Sequence, residues 1–186
     1  LAPEKLAACY QLVANGHVAL SLGQGADLWA SSHKSILPLY RQLEIFERKT
    51  GSAIRVALLL GAVAGNAPES DLAVLKNFSG YFGMAYQIKD DLHEFREANE
   101  HTHPVDYPLL LSLLSCDLDE ASLAKFQQYY AEHDRSRITE LIQEMGIDPI
   151  AEKLLQEYTD NAYRELDKLD NLKMKLCLYT VLGKIF

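Results

Sequence analysis

Carboxylates crowd the unfavourable end of a predicted helix in Tyr81-Phe-Gly-Met-Ala-Tyr-Gln-Ile-Lys-Asp-Asp-Leu-His-Glu94. The helix macrodipole places partial negative charge there, so Asp90, Asp91, Glu94 and Glu97 each cost roughly 0.3–1 kcal/mol. Like charges four apart, such as Asp90 and Glu94, add a few tenths more. Lys89 and Arg96 offset part of this, and a bound divalent cation would offset far more. Violations of local rules gather at functional sites; the competing reading is a solvated acidic helix end.

A helical wheel separates this segment into two faces. Gly80, Gly83, Gln87, Asp90, Glu94 and Glu97 form one stripe, while Phe78, Tyr81, Ala85, Ile88, Leu92 and Phe95 form the packing stripe. The two glycines cost helix propensity and leave room for something to approach the backbone.

Lys49 is the second informative residue. Helical spacing puts it with Ile45, Ala53, Val56 and Leu60, an apolar stripe on which an ammonium must lose its proton, find an anion or snorkel to water. A phosphate would use this position well, with Thr50 adding a hydroxyl and Gly51 permitting close approach. Gln24 and Asp27, three apart, make a third polar patch, which an ordinary solvated face would also explain.

The elements that must carry these residues are helical throughout, with no strand alternation, no internal repeat and no low-complexity tract. The expected fold class is all-α, one domain over residues 1–186. A first helix is predicted from Pro3 to Trp29, disturbed near Gly23 and Gly25. A long tract follows over Ser35–Gly65, with Pro38 in its first turn and a kink at Gly51. The acidic helix runs from Pro68 or Ser70 to Glu97, and Asn99–Asp106 form a polar loop. Beyond an apolar segment at Pro108–Ser115, Asp117 with Glu120 reads as a capping box for a helix ending near Glu132. Helices are then expected at Ser136–Met145, Pro149–Leu169 and Leu172–Lys184, with Gly146 as a stop and Asp148 as an N-cap.

Composition narrows the function classes. With 186 residues, 48% of them hydrophobic, the chain can bury a sizeable core. Its net charge of -8 argues against a general nucleic-acid or anionic-membrane surface. Cys9, Cys116 and Cys177 lack metal-binding or paired spacing and read as reduced thiols, which points to a cytoplasmic location. No signal peptide or membrane span is evident. The chain opens on Leu1, so its start reads as a processing or cloning boundary.

The three patches, in this order, resemble the trans-isoprenyl diphosphate synthase (polyprenyl synthetase) family. Gly23-Gln24-Gly25-Ala26-Asp27-Leu28 is similar to the family's Gly-Gln-x-x-Asp-Leu segment. Lys49-Thr50-Gly51, followed by Gly61-Ala62, resembles its Lys-Thr-Gly helix. Phe82-Gly83 and Tyr86-Gln87-Ile88-Lys89-Asp90-Asp91 resemble its second aspartate-rich motif, and Tyr158 to Leu182 looks like its C-terminal helices. The resemblance implies an isoprenoid synthase-type helical bundle around a central cavity. It further implies that Asp90 ligates magnesium (Mg2+) on an allylic diphosphate, directly or through water, with Asp91 and Glu94 supporting the site. Lys49 and Thr50 would hold diphosphate oxygens, Tyr86 and Gln87 would lie beside the isopentenyl unit, and Gln24 and Asp27 would line the cavity. The implied reaction is condensation of isopentenyl diphosphate with an allylic diphosphate.

Departures from the family also carry expectations. No first Asp-Asp-x-x-(x-x)-Asp motif lies upstream of Gln24, so the bundle is expected to be incomplete at its N-terminus. Glu94 stands where the family prefers Asp. Glu100 to Pro108 lacks the family's lysine, and His101 and His103 read as a solvated His-x-His loop. Apolar walls left uncovered would require a partner: a missing N-terminal segment, a homodimer mate or a catalytic subunit. The alternative function is a non-catalytic or regulatory subunit of a heteromeric prenyl diphosphate synthase.

Overall fold

Helical periodicity becomes nine α-helices and one π-turn among residues 1–97 and 107–186, which the computed structural model describes. The predicted loop at Asn99–Asp106 and the His101 and His103 reading fall outside these residues. Helix α1 (Pro3–Ser32) begins with Pro3 at its first position, where no backbone donor is wasted, and passes Gly23 and Gly25 without interruption. Pro38 sits at the N-cap of α2 (Leu39–Phe46) and not inside its first turn. At the expected Gly51 kink the chain instead widens into a π-turn (Glu47–Gly51), in which the Ser52 N–H reaches back to the Glu47 carbonyl. Helix α3 (Ser52–Ala64) continues directly, and α4 (Glu69–Glu97) follows a short turn.

The second half supplies α5 (Pro108–Cys116), α6 (Glu120–Glu132), α7 (Arg135–Glu144), α8 (Ile147–Asp167) and α9 (Leu172–Ile185). Two caps differ from expectation. Asp117 is taken up as the C-cap of α5, so Asp119 caps α6 and accepts the Ser122 N–H at 2.8 Å. Gly146 does stop α7, in the left-handed region at φ 60°, but α8 begins at the next residue and places Asp148 inside its first turn.

Helix α4 is the spine. Its face of Phe78, Ala85, Ile88 and Leu92 is at most 2% exposed, as the wheel requires. One hydrophobic cluster joins Phe46, Ile88, Leu92 and the leucines of α5 to α6, α7 and α8. A second joins Phe78 and Phe82 to α3, α8 and α9. Residues Leu109 to Leu114 are all buried, so α5 is a central helix surrounded by protein. By contrast, α1 buries only Gly23 and Ala30.

Glycines decide how closely α1 and α4 approach the π-turn. A Cβ on Gly23 would stand 2.8 Å from the Lys49 backbone nitrogen, and one on Gly83 would stand 2.6 Å from Gly51 Cα. Gly16 faces Val56, here against its side chain. From Gly23 to Gly16 and from Lys49 to Val56 the steps are equal and opposite, as antiparallel helices require. The room left by Gly83 is therefore filled by the chain's own backbone at Gly51, whereas Gly80 borders a groove with Glu47, Arg55 and Tyr158.

This geometry ranks substitutions. Gly83→Ala drives a methyl into immovable backbone and should destabilise the protein by about 2 kcal/mol or more. Gly51→Ala meets only ordinary contacts at 3.6 Å or beyond, and Gly25→Ala meets nothing within 4 Å. Each should be neutral or gain up to about 1 kcal/mol of helix propensity. Chemical denaturation of the three variants checks the order.

Helix α9 is latched to α8 by the Tyr179 hydroxyl, which donates to Asp167 Oδ1 at 2.6 Å. That bond pushes the phenol up to about 12. A folded-state value above the unfolded one contributes stability below the unfolded value, about 10. The contribution is lost as pH rises toward 12. Tyr179→Phe should therefore show a shallower loss of stability over this window than the wild type in thermal melts.

Candidate active site

The seam between α1, the π-turn and α4 brings Asp27 to Lys49 and sets Thr50 and Gly51 against Gly83, while Tyr86, Gln87, Asp90 and Glu94 follow Gly83 along α4. With Gly23 against its backbone, Lys49 extends toward α1, where its Nζ meets Asp27 Oδ2 at 2.7 Å. Of the three fates open to the ammonium, it has found an anion. The side chains remain 33% and 24% exposed, so this pair contributes only about 0.2–1 kcal/mol, and the ammonium has two further N–H groups for a second anion. Gln24 and Thr50 are half-buried beside it. The apolar stripe expected for Lys49 is not a core face. The extra residue in the π-turn rotates α3, which buries Ser52 and Leu59 and leaves Ala53 exposed.

On α4, Gln87 lies one turn beyond the Gly83 crossing and is buried at 8% exposure. Tyr86 and Asp90 are exposed, and Asp90 makes no hydrogen bond or ion pair with the described residues. The cations that might have neutralised this helix end are engaged elsewhere. Lys89 donates to the Ile185 carbonyl, while Arg96 pairs with Asp148 at 3.2 Å and Glu152 at 2.5 Å on α8. Both carboxylates raise the Arg96 guanidinium further, holding it charged. Glu94 is exposed one turn after Asp90.

Asp91 points away from Asp90. It is 6% exposed, and its Oδ2 accepts the Leu109 N–H at 2.7 Å. A buried helix must satisfy its first amides; Pro108 has none, and Asp91 answers for Leu109. The carboxylate pair therefore divides its work, with Asp91 holding α5 and Asp90 left open. Two features escaped the sequence reading: Asp27 as the partner of Lys49, and Gly23 as the residue that lets α1 come close. The glycine beside Gln24 was visible, but only the fold shows what it meets. Among the described residues no group of three or more His, Cys, Asp or Glu could hold a metal unaided.

Comparison with known proteins settles the family. A polyprenyl synthetase profile matches residues 3–105, which span all three patches. The chain belongs to the polyprenyl synthetase family. It is 33% identical over 102 residues to farnesyl diphosphate synthase of Bacillus subtilis, covering 49% of this chain and 33% of that protein. It is 40% identical over 63 residues to heptaprenyl diphosphate synthase component 2 of Geobacillus stearothermophilus, covering 34% of this chain and 20% of that protein. The geranylgeranyl pyrophosphate synthetase of Pyrococcus horikoshii superposes with a TM-score of 0.85 at 21% identity, covering 100% of this chain and 60% of that one. A Corynebacterium glutamicum geranylgeranyl pyrophosphate synthase, solved with isoprenyl diphosphate and magnesium, superposes at 0.81 with 19% identity, covering 100% and 56%. The fold is thus the isoprenoid synthase helical fold. The chain spans about a third of the length of the first of these curated relatives and 60% or less of the solved ones. No described helix is long and apolar enough to cross a membrane.

The divided aspartates give a test that needs no ligand. Asp91→Ala strands a buried N–H and should cost about 1–3 kcal/mol. Asp90→Ala, at an exposed helix end, should leave stability unchanged or raise it by up to about 1 kcal/mol. Urea unfolding of both variants measures the difference.

Proposed function

We propose that this chain supplies the diphosphate-holding part of a prenyltransferase that condenses isopentenyl diphosphate with an allylic diphosphate. The observation that carries the reading is that the family's three motifs lie on segments locked together at Gly23 and Gly83, with Lys49 between the two contacts. Lys49 and Thr50 bind diphosphate oxygens, the ammonium keeping Asp27 on one N–H and turning the other two to phosphate. Gln87 and Tyr86 orient the isopentenyl unit, and Gln24 with Asp27 lines the polar wall.

The donors suit magnesium. Asp90 and Glu94 are hard oxygen ligands four apart on exposed positions, too few to form a cage, and magnesium commonly binds one or two carboxylates together with waters and substrate phosphate. Asp90 is its main ligand in this reading; Glu94 supports it, and Asp91 acts through the position of α5. When bound, the ion neutralises charge developing on the departing pyrophosphate. The buried aliphatic residues beside the seam keep water from the reacting carbons.

Completion by further helices fits the surface. Leu6, Tyr10, Val13, Leu22 and Trp29 of α1 are exposed, and a groove of about 450 Å³ between α1, α3 and α4 includes Leu12, Leu59, Val63 and Leu72. Apolar surface on this scale marks an interaction face. The covering helices come from a segment of the same protein, a second copy or another subunit. The last source is favoured by two relatives named as components of heptaprenyl diphosphate synthase. A subunit reading without catalysis uses the same face, with Asp90 and Lys49 holding diphosphate but promoting no reaction.

Calorimetric titration with magnesium pyrophosphate tests the proposal. Lys49→Ala and Asp90→Ala should each weaken binding at least about tenfold, the size of a lost charge-assisted contact, with the fold intact. In the complete protein both should abolish pyrophosphate release from the two substrates. Unchanged affinity in both variants would refute the assignment; binding without turnover would favour the subunit reading.

A further inference from the structure

Gln42 on α2 is 2% exposed, and its Nε2 makes no hydrogen bond with the described residues. A buried amide left without a partner costs about 1–3 kcal/mol, so the chain must gain something from keeping it. The side chain borders a cavity of about 30 Å³ lined also by Asp27, Ser31, Ser35, Pro108 and Tyr130. Such a space holds one or two waters, and its polar walls provide the two to four partners that an internal water needs. Asp27 is the telling neighbour: Oδ2 is committed to Lys49, and Oδ1 has no hydrogen bond with the described residues.

We propose that Gln42 is a positioning residue for the diphosphate site, acting through an internal water that joins its amide to the Asp27 carboxylate. The water accepts the Nε2 proton and donates one of its own to Asp27, leaving its second proton for a serine hydroxyl. Held from this side, Asp27 cannot rotate away from Lys49, and the ammonium is fixed before a ligand arrives. The cavity touches α1, α2 and Pro108 at the head of α5, so the water sits where the Lys49 side of the seam meets the helix that Asp91 holds. The role assigned to Lys49 rests on the proposed function; the water bridge does not.

Gln42→Met, close in volume and without polar atoms, separates the possibilities. If the amide is bridged to Asp27, Gln42→Met lowers the melting temperature by a few degrees, and the loss shrinks by at least half in an Asp27→Ala background, which has no acceptor for the water. If the amide is truly alone, Gln42→Met raises the melting temperature in both backgrounds and the proposal fails. Gln42→Leu repeats the cycle should the methionine variant not fold. Crystal structures should show ordered water between Gln42 and Asp27, with the Lys49–Asp27 contact broken or disordered in Gln42→Met; an intact contact overturns the positioning role. Gln42→Met should also weaken magnesium pyrophosphate binding about three- to tenfold beside Asp27 and less than twofold in the Asp27→Ala background. If the wild type does not bind pyrophosphate, the proposed function fails while the melting cycle and the crystal structures still decide the bridge.

Discussion

Backbone touches backbone at Gly83 and Gly51, and the geometry of the site follows from that contact. No side chain larger than hydrogen fits at Gly83 without moving a helix. On the opposite flank Gly23 lets α1 lie against Arg48 and Lys49. The π-turn is therefore gripped from both sides, and its extra residue fixes where Lys49 and Thr50 emerge. Single π-turns inside helices recur at functional sites, since the widened turn re-aims side chains that an α-helix would direct elsewhere.

Around this grip the acidic helix end is stabilised unevenly. Asp91 is drawn into the core by the orphan amide of α5, and Arg96 and Lys89 are drawn outward by α8 and the C-terminus. Asp90 keeps an uncompensated charge at the negative end of a helix dipole. Such a carboxylate is poised for a cation, and it lies on the same helix as the Gly83 contact. The fold leaves charge where the proposed chemistry needs it, while α5 and α8 carry the stability.

Much of this was legible locally. Three-to-four-residue periodicity gave the packing face of α4 from Phe78 to Leu92, and Gly146 marked a helix stop because only a positive φ satisfies that turn. Motif order gave the family. Tertiary meaning was harder to read. Gly83 looked like room for something to approach the helix backbone, yet Gly51 of the π-turn fills that room; seeing this needs two helices known at once. Asp90 and Asp91 are indistinguishable in sequence, and only the return of the chain 18 residues later, at Leu109, separates them. Asp119 displaced Asp117 as a cap because α5 ended one residue later than the apolar segment suggested.

The central claim is that α1, the π-turn and the end of α4 face one bound metal and diphosphate. Paramagnetic relaxation with manganese pyrophosphate in place of magnesium measures this directly in the isotopically labelled protein. The account predicts concerted broadening of resonances from Asp27, Lys49, Thr50, Gln87 and Asp90, removed by Asp90→Ala. Broadening confined to Asp90 and its sequence neighbours, with Asp27 and Lys49 untouched, would contradict it.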